Sequence, residues 1–483
     1  MKLIKFFIIS IFIISCSSEI EKIDSISFSE KNYDEAFQLI EYWLDAQKDY
    51  DNLPGLTAMI GDENGLVWSE AFGMANENDL MKVDNTFSIC SISKLFTSIA
   101  IMKLVEEQKI SLDDSIEKLL PWFDLKQQFN DSSPITIKSI LTHSSGLPRE
   151  SNHPYWSRPN FSFPSKEDVK KELKNQEMLY PSSKYYQYSN LGLTLLGYVV
   201  EEISGQSYDD YVIEHILNPL EMRKTKTYMS RDDYGGILSV GFSSINRERD
   251  REKVNFFNAN GIAAAAGFTS NVVDLAKFAT WQLQLLKSSE TNIITSKSLK
   301  EMHKVNWDDE LTSVKRGLGF GVYNFEGETF VGHGGSCPGY RSQLYLNPEL
   351  GISYSVMINS SGTNPGRYIQ GIHSILKKAS QIKSTTNNKF KELQGIYISQ
   401  PWGSETYIQS WGDQLAFLRM PATSPELTLY NRVGKDKFKR LLKNMELGET
   451  LEILRNEDNS VIGFKSHQNI YYKDSLEKDE LGI

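Results

Sequence analysis

A serine three residues ahead of a lysine, at the start of an apolar run, is the pairing in this chain best suited to covalent chemistry. It lies in Phe87-Ser88-Ile89-Cys90-Ser91-Ile92-Ser93-Lys94. From Ser91 to Gln108 the chain carries Ile92, Leu95, Phe96, Ile99, Ala100, Met102, Leu104 and Val105. A helix apolar around most of its circumference is buried. Ser91 and Lys94 share one face at its N-terminal end. Desolvation and the positive end of the helix dipole both disfavour the ammonium form of Lys94. A neutral amine beside a hydroxyl is a general base for it, which makes Ser91 a nucleophile. Alone the signal is weak, because Ser-x-x-Lys occurs five times, starting at Ser91, Ser115, Ser374, Ser380 and Ser475. Only Ser91 opens a buried apolar helix directly after a strand-like segment. The bland alternative is a serine N-cap with a lysine whose head reaches water.

Two further constellations can complete such a site. Tyr188-Ser189-Asn190 precedes the apolar run Leu191 to Ile203, which stops at Ser204-Gly205 as a helix does. A tyrosine hydroxyl can relay protons to a leaving group, and an asparagine amide can grip a substrate carbonyl. The alternative is a buried aromatic capped by a side-chain amide. The third is Phe330-Val331-Gly332-His333-Gly334-Gly335-Ser336, the one place where His-x-Gly occurs. Its glycines at the end of a strand permit close backbone approach to a ligand. A strand-edge N–H at Ser336, with that of Ser91, would form an oxyanion hole. The neighbouring Lys315-Arg316-Gly317 is expected to belong to a loop.

The elements that must position these residues follow from the pattern. Leu56 to Ile60 and Leu66 to Phe72 read as a hairpin around Asp62-Glu63-Asn64-Gly65. A helix-rich middle runs from Ser91 to Leu286. Strands return at Gly319 to Tyr323, Thr329 to Val331, Ser342 to Leu346 and Ile352 to Ile358. Strands at both ends predict a sheet assembled from the two ends of the segment and covered by helices. After a helix from Ile369 to Ala379, residues 380–388 are polar and unpatterned, a linker. Beyond it six short strands are predicted, at 395–397, 407–410, 414–418, 427–430, 449–454 and 461–464, in a small all-β domain at 389–475.

In this order the three motifs resemble the serine β-lactamase and penicillin-binding protein superfamily, in its class C-like branch. That branch also holds D-alanyl-D-alanine carboxypeptidases, D-aminopeptidases and esterases. Leu141-Thr142-His143-Ser144-Ser145-Gly146-Leu147-Pro148, Pro219-Leu220-Glu221-Met222, and Ala265-Ala266-Gly267 through Asp274-Leu275 extend the resemblance over residues 33–379. It implies an α/β (α+β) fold of the β-lactamase/transpeptidase type: an antiparallel sheet flanked by helices plus a helical subdomain. It implies that Ser91 forms an acyl-enzyme, with Lys94 and Tyr188 sharing the proton work. Asn190, His333, Gly335 and Ser336 would bind substrate. β-Lactamases of this branch usually carry lysine in place of His333, a permanent charge for a substrate carboxylate, whereas histidine is largely neutral near pH 7. That departure favours a peptidase acting on D-amino-acid peptides, or an esterase, over a β-lactamase or a slowly deacylating penicillin-binding protein. A non-catalytic sensor with this fold is the rival from another class. Asn359 and Arg341 are alternative carboxylate ligands, each expected instead to be structural. The β domain resembles accessory domains of the family, with a role in shaping the active-site mouth or in docking.

The N-terminus reads as an export signal. Lys2 and Lys5 precede an apolar run from Phe6 to Ile14, too short for the about 20 residues a spanning helix needs. Ile13-Ile14-Ser15-Cys16 resembles a bacterial lipobox, which implies cleavage before Cys16, its lipidation, and a tether over residues 17–32. The expected location is the bacterial cell envelope, with the chain held to a membrane by that lipid. Cys90 and Cys337 are then the remaining thiols, and both are expected to be free. Seven histidines without metal-ligand spacing imply no metal, and no cofactor is expected. With 52 Lys+Arg against 62 Asp+Glu and no basic cluster, nucleic acid is excluded as the main partner. The resemblance implies a small-molecule or peptide substrate as the partner.

Overall fold

The computed structural model describes residues 26–29, 31–288, 292–382 and 389–474. The export signal, Cys16, and most of the tether and linker expected from sequence lie outside the described residues.

The folded part opens with helix α1 (Asp34–Tyr50), which the sequence reading passed over, and the hairpin β1 (Gly55–Asp62) and β2 (Gly65–Gly73). After the short strand β3 (Phe87–Ser88) come the buried helix α2 (Ser93–Glu106) and helix α3 (Asn190–Ser204). β4 (Thr269–Ser270) pairs with β3 and leads into helix α4 (Val272–Lys287). The strands β5 (Trp307–Asp309), β6 (Val314–Arg316), β7 (Gly321–Phe325), β8 (Glu328–Cys337), β9 (Tyr340–Asn347) and β10 (Ile352–Ile358) follow, then helix α5 (Gly366–Ser380).

Eight strands form one antiparallel sheet in the order β2-β1-β10-β9-β8-β7-β6-β5. β1 lies against β10, with Leu56 opposite Ile358, so the two ends of the segment do close the sheet. Alternation along β1 decides which layer each side chain joins. Leu56, Ala58 and Ile60 pack with Trp43 of α1 and Ile369 and Ile372 of α5. Met59, pointing the other way, joins Leu275 and Phe278 of α4. On that second side lies the helical subdomain. Every residue of α2 from Ser93 to Met102 is buried, as its all-round apolar sequence requires.

The C-terminal unit is a separate eight-stranded antiparallel sheet whose neighbours follow chain order, from Gly395–Ile398 to Asn469–Tyr472. The two strands beyond the predicted six are Lys437–Leu441 and Asn469–Tyr472. The first is mostly basic and the second is short and exposed, so neither carries an alternating apolar signal. The unit docks on α1. Tyr407 stacks on Tyr42 at 3.8 Å, and Trp43 Nε1 donates to the Ala422 carbonyl at 2.7 Å. Gln47 Oε1 accepts from the Ala422 N–H at 2.8 Å. Trp411, Leu418 and Met420 complete the same core as α1 and α5.

Candidate active site

Ser91 sits in a one-turn 3₁₀ helix, Cys90–Ile92, immediately before α2. Cys90 adopts a left-handed backbone with φ of 51°, a sparsely populated region for a residue with a Cβ. Neighbours hold that turn. Ser93 Oγ donates to the Cys90 carbonyl at 2.5 Å and accepts from Phe268 N–H at 3.1 Å, and Ser342 Oγ donates to the Ile89 carbonyl at 3.1 Å. The result presents the Ser91 hydroxyl at the floor of a cleft.

Lys94, one turn on, is fully enclosed. Its Nζ lies 3.1 Å from Ser91 Oγ, 2.7 Å from Asn190 Oδ1 and 2.7 Å from the Ala265 carbonyl. Burial holds its pKa well below the usual lysine value; Glu150 opposes that shift, and Arg149 and Arg316 add to it. Burial thus disfavours the ammonium form, the same ground on which the sequence argument made Lys94 a general base.

Tyr188 and Asn190 are held by the segment Leu141 to Glu150. The ring of His143 stacks on Tyr188 at 4.2 Å, and its Nδ1 accepts from Ser189 N–H at 3.1 Å. Ser189 caps α3, accepting from Gly192 N–H at 2.9 Å and donating to the Pro148 carbonyl at 2.6 Å. Burial raises the Tyr188 pKa; its hydrogen bond with Ser91 and the nearby Arg316 and Arg149 charges moderate the rise. Lys94 Nζ sits 5.0 Å and the Arg149 guanidinium 4.9 Å from the ring centre.

The opposite wall is β8. The sequence reading ended this strand at Val331, but pairing with β9 carries it through the glycines to Cys337. β7 stops opposite Gly332, so from His333 onward the outer edge of β8 has no strand partner and faces the Cys90–Ile92 turn. A Cβ on Gly335 would collide with the Ile89 carbonyl and Ser342 Oγ, so glycine is what lets the strand pass beside the nucleophile turn. His333 is buried, and burial, ahead of the Arg316 and Lys94 charges, lowers its pKa well below the ordinary value. Its Nδ1–H donates to the Gly334 carbonyl at 2.6 Å, so Nε2 carries the lone pair. His333 is thus a neutral acceptor on the cleft wall.

Two expectations need correction here. Cys90 and Cys337 are not free thiols: they form a disulfide with Cα atoms 5.7 Å apart, because β8 runs far enough to bring Cys337 beside the turn. Lys315-Arg316-Gly317 is not a loop segment, since Val314–Arg316 form β6 between β5 and β7. Arg341, expected to be structural with carboxylate recognition as the alternative, lines the cleft, and its Nη1 donates to Ser336 Oγ at 3.2 Å. Among the described residues none of the C-terminal unit lines the cleft, where the last lining residue is Ser361. Asn359, by contrast, is wholly buried and donates to the Met74 and Val240 carbonyls, a structural position.

The cleft has a volume of about 760 Å³. Ser91, Tyr188, Asn190, His333, Gly335 and Ser336 all line it, while Lys94 lies beneath. Sequence reasoning missed Arg316, Glu150 and Arg149, which reach it from β6 and from the loop before α3. Arg316 donates to Tyr186 Oη at 2.7 Å and lies against Tyr323, and no carboxylate among the described residues pairs with it. Three arginines, Arg149, Arg316 and Arg341, face a single carboxylate, Glu150, so the cleft is positive in a chain of net charge −10. Among the described residues no group of three or more His, Cys, Asp or Glu is placed to hold a metal ion.

An enclosed amine beneath a half-buried, cleft-lining serine, closed over by a sheet edge, is the frame of the serine hydrolases with the β-lactamase/transpeptidase-like fold. Two solved structures share that fold. The octameric penicillin-binding protein homologue from Pyrococcus abyssi superposes with a TM-score of 0.61 at 23% identity, over 90% of this chain and all 100% of that one. The D-stereospecific amidohydrolase from Streptomyces sp. gives a TM-score of 0.57 at 22% identity, over 72% of this chain and 99% of that one. Residues 43–373 match the family described as Beta-lactamase, and the chain belongs to it. Among curated relatives, Beta-lactamase-like protein 2 of Dictyostelium discoideum is 30% identical over 234 residues, which span 47% of this chain and 42% of that protein. Protein flp of Staphylococcus aureus (strain MW2) is 24% identical over 71% of this chain and 67% of its own length. Unguisins hydrolase ungD' of Aspergillus campestris (strain IBT 28561) is 26% identical over 64% of this chain and 59% of its own length.

Proposed function

We propose that the protein is an exported, lipid-anchored serine hydrolase that cleaves an amide in a D-amino-acid peptide, or an ester, through an acyl-Ser91 intermediate. The observation that carries this reading is the enclosed Lys94 amine, 3.1 Å from the cleft-lining Ser91 hydroxyl and otherwise bonded only to carbonyl oxygens. As Ser91 Oγ bonds to the substrate carbonyl carbon, its proton passes to Lys94 Nζ and the carbonyl electrons move to oxygen. The N–H groups of Ser91 and Ser336 receive that oxyanion. Collapse of the intermediate breaks the bond to the leaving group, which takes a proton from Tyr188, itself reprotonated from Lys94. Water then attacks the acyl ester by the reverse proton path. The name of the Streptomyces amidohydrolase is in keeping with amide cleavage, and that of the Aspergillus hydrolase with hydrolysis.

The Arg316 guanidinium, which has no carboxylate partner among the described residues, favours a substrate that carries a carboxylate. A fixed buried charge whose partners are neutral phenols is stabilised by an anion, which the carboxylate supplies in bidentate form. A neutral His333 leaves that task to Arg316, with Arg341 close by. Export and anchoring rest on the Lys2 to Cys16 segment, and the disulfide accords with an oxidising compartment.

Paired esters test the reading. Wild-type protein should hydrolyse 3-acetoxybenzoate with a higher kcat/KM than phenyl acetate, and Ser91→Ala should hydrolyse neither. Arg316→Gln should erase the preference and keep the phenyl acetate rate. Equal rates for both esters in the wild type would count against the carboxylate, and turnover by Ser91→Ala against the nucleophile. Cys16→Ala expressed in bacteria should leave the membrane fraction; unchanged fractionation would contradict lipid anchoring.

A further inference from the structure

Beyond the groups that touch the reacting atoms, we infer that Glu150 is a positioning residue, fixing the sense of the Asn190 amide so that the Lys94 lone pair stays directed at Ser91. This rests on the acyl-serine reading above. An amide side chain has one donating and one accepting end, whereas an ionised carboxylate only accepts. Asn190 Nδ2 lies 2.8 Å and 3.0 Å from the two Glu150 oxygens, so its donating end is committed to Glu150. Oδ1 must then face Lys94 Nζ, at 2.7 Å. A neutral amine has two N–H bonds; Asn190 Oδ1 and the Ala265 carbonyl accept both. What remains is one lone pair, on the side of Ser91 Oγ. A reversed amide would aim an N–H at that lone pair and occupy the base. Glu150 is itself pinned, accepting from Tyr155 Oη and pairing with Arg149 Nε at 3.2 Å.

The groups facing Lys94 are Glu150, Arg149 and His143 from the loop, Tyr188 ahead of α3, Arg316 from β6 and His333 from β8. Glu150 is the anionic one. Its charge also favours the ammonium that forms when Lys94 takes the serine proton, across a single intervening amide.

The rate at which a fluorophosphonate labels Ser91, followed by intact mass across pH, separates this role from a structural one. In that step the Ser91 O–H proton moves to Nζ, Oγ bonds to phosphorus, and fluoride departs with the P–F electron pair. Glu150→Gln keeps the shape and removes the charge. The plateau rate should fall about tenfold or more, the scale of a misplaced catalytic group. The acid limb should move to lower pH, because a nearby negative charge no longer supports the ammonium. In an Asn190→Ala background the same substitution should cost almost nothing in plateau rate, since Glu150 acts through Asn190. Tyr155→Phe, which loosens the carboxylate but keeps its charge, should lower the plateau and leave the acid limb in place. Wild-type rates and acid limb in folded Glu150→Gln, or the same fold-loss in both backgrounds, would overturn the assignment, as would a Tyr155→Phe profile identical to wild type if Glu150→Gln does not fold. No labelling of the wild type at Ser91 would instead remove the hydrolase reading, and this inference with it.

Discussion

Lys94 meets two carbonyls and a hydroxyl and has no direct carboxylate partner, an environment that suits an amine and penalises an ammonium. The sign of two pH effects follows. Activity should rise with pH as Lys94 loses its proton and reach its plateau well below pH 10.5, the value of a free lysine. In stability the folded chain binds fewer protons than the unfolded one between the depressed pKa and that of free lysine. The Lys94 contribution is therefore complete above pH 10.5 and is lost as pH falls through the folded value. Labelling rates by fluorophosphonate between acid and neutral pH check the first; a flat profile would contradict it. Ser91, Lys94, Tyr188, Asn190 and His333 were legible because each lies in a short motif whose local spacing carries the chemistry. Arg316 and Glu150 were not, because their places in the cleft depend on strand pairing and on a loop fold that no local pattern records.

At the scale of elements, β8 decides how the site is built. Glycine punctuation made the strand look finished at Val331, since glycines also end strands; the β9 ladder extends it six residues to Cys337. That extension is what supplies the free edge, the passage beside Ile89 and the disulfide. Gly335→Ala should push β8 off the nucleophile turn. An overpacked contact of this kind costs about 1–3 kcal/mol, so the melting temperature should drop and Ser91 labelling should slow. An alanine variant with wild-type labelling would show that the passage is not tight. The disulfide joins the residue before Ser91 to the residue after Ser336, so it tethers the two proposed oxyanion donors to each other. Non-reduced protein should be lighter than reduced protein by two hydrogens. Loss of the bond in Cys90→Ser/Cys337→Ser should destabilise the fold by about 2–4 kcal/mol in denaturant titration.

On the scale of the whole molecule, the β-lactamase-like segment and the C-terminal sheet share a core through α1. The sequence made the all-β character of that unit plain, because its strands alternate between turn residues, but its docking surface was hidden. Tyr42, Trp43 and Gln47 lie on the helix the sequence reading passed over, and their role shows only when Tyr407 and the Ala422 backbone are placed against them. Truncation after Ser380 would uncover that apolar face. The shortened chain should lose solubility and melt several degrees lower, while labelling per folded molecule stays unchanged, since no cleft-lining residue lies beyond Ser361. A truncated chain as soluble and as stable as the whole would mean that the interface contributes little.

The central claim is that Ser91 is a nucleophile activated by Lys94, and intact-protein mass spectrometry tests it most directly. The protein lacking residues 1–16 would be incubated with a fluorophosphonate and, separately, with a penicillin, beside Ser91→Ala. A single phosphonyl adduct on the wild type, absent from Ser91→Ala, is the predicted result. A persistent penicilloyl adduct would move the substrate reading towards penicillin-binding proteins, and turnover without accumulation towards β-lactamases. A folded wild-type protein that gains no mass from either reagent would contradict the account and leave a binding protein on a hydrolase fold.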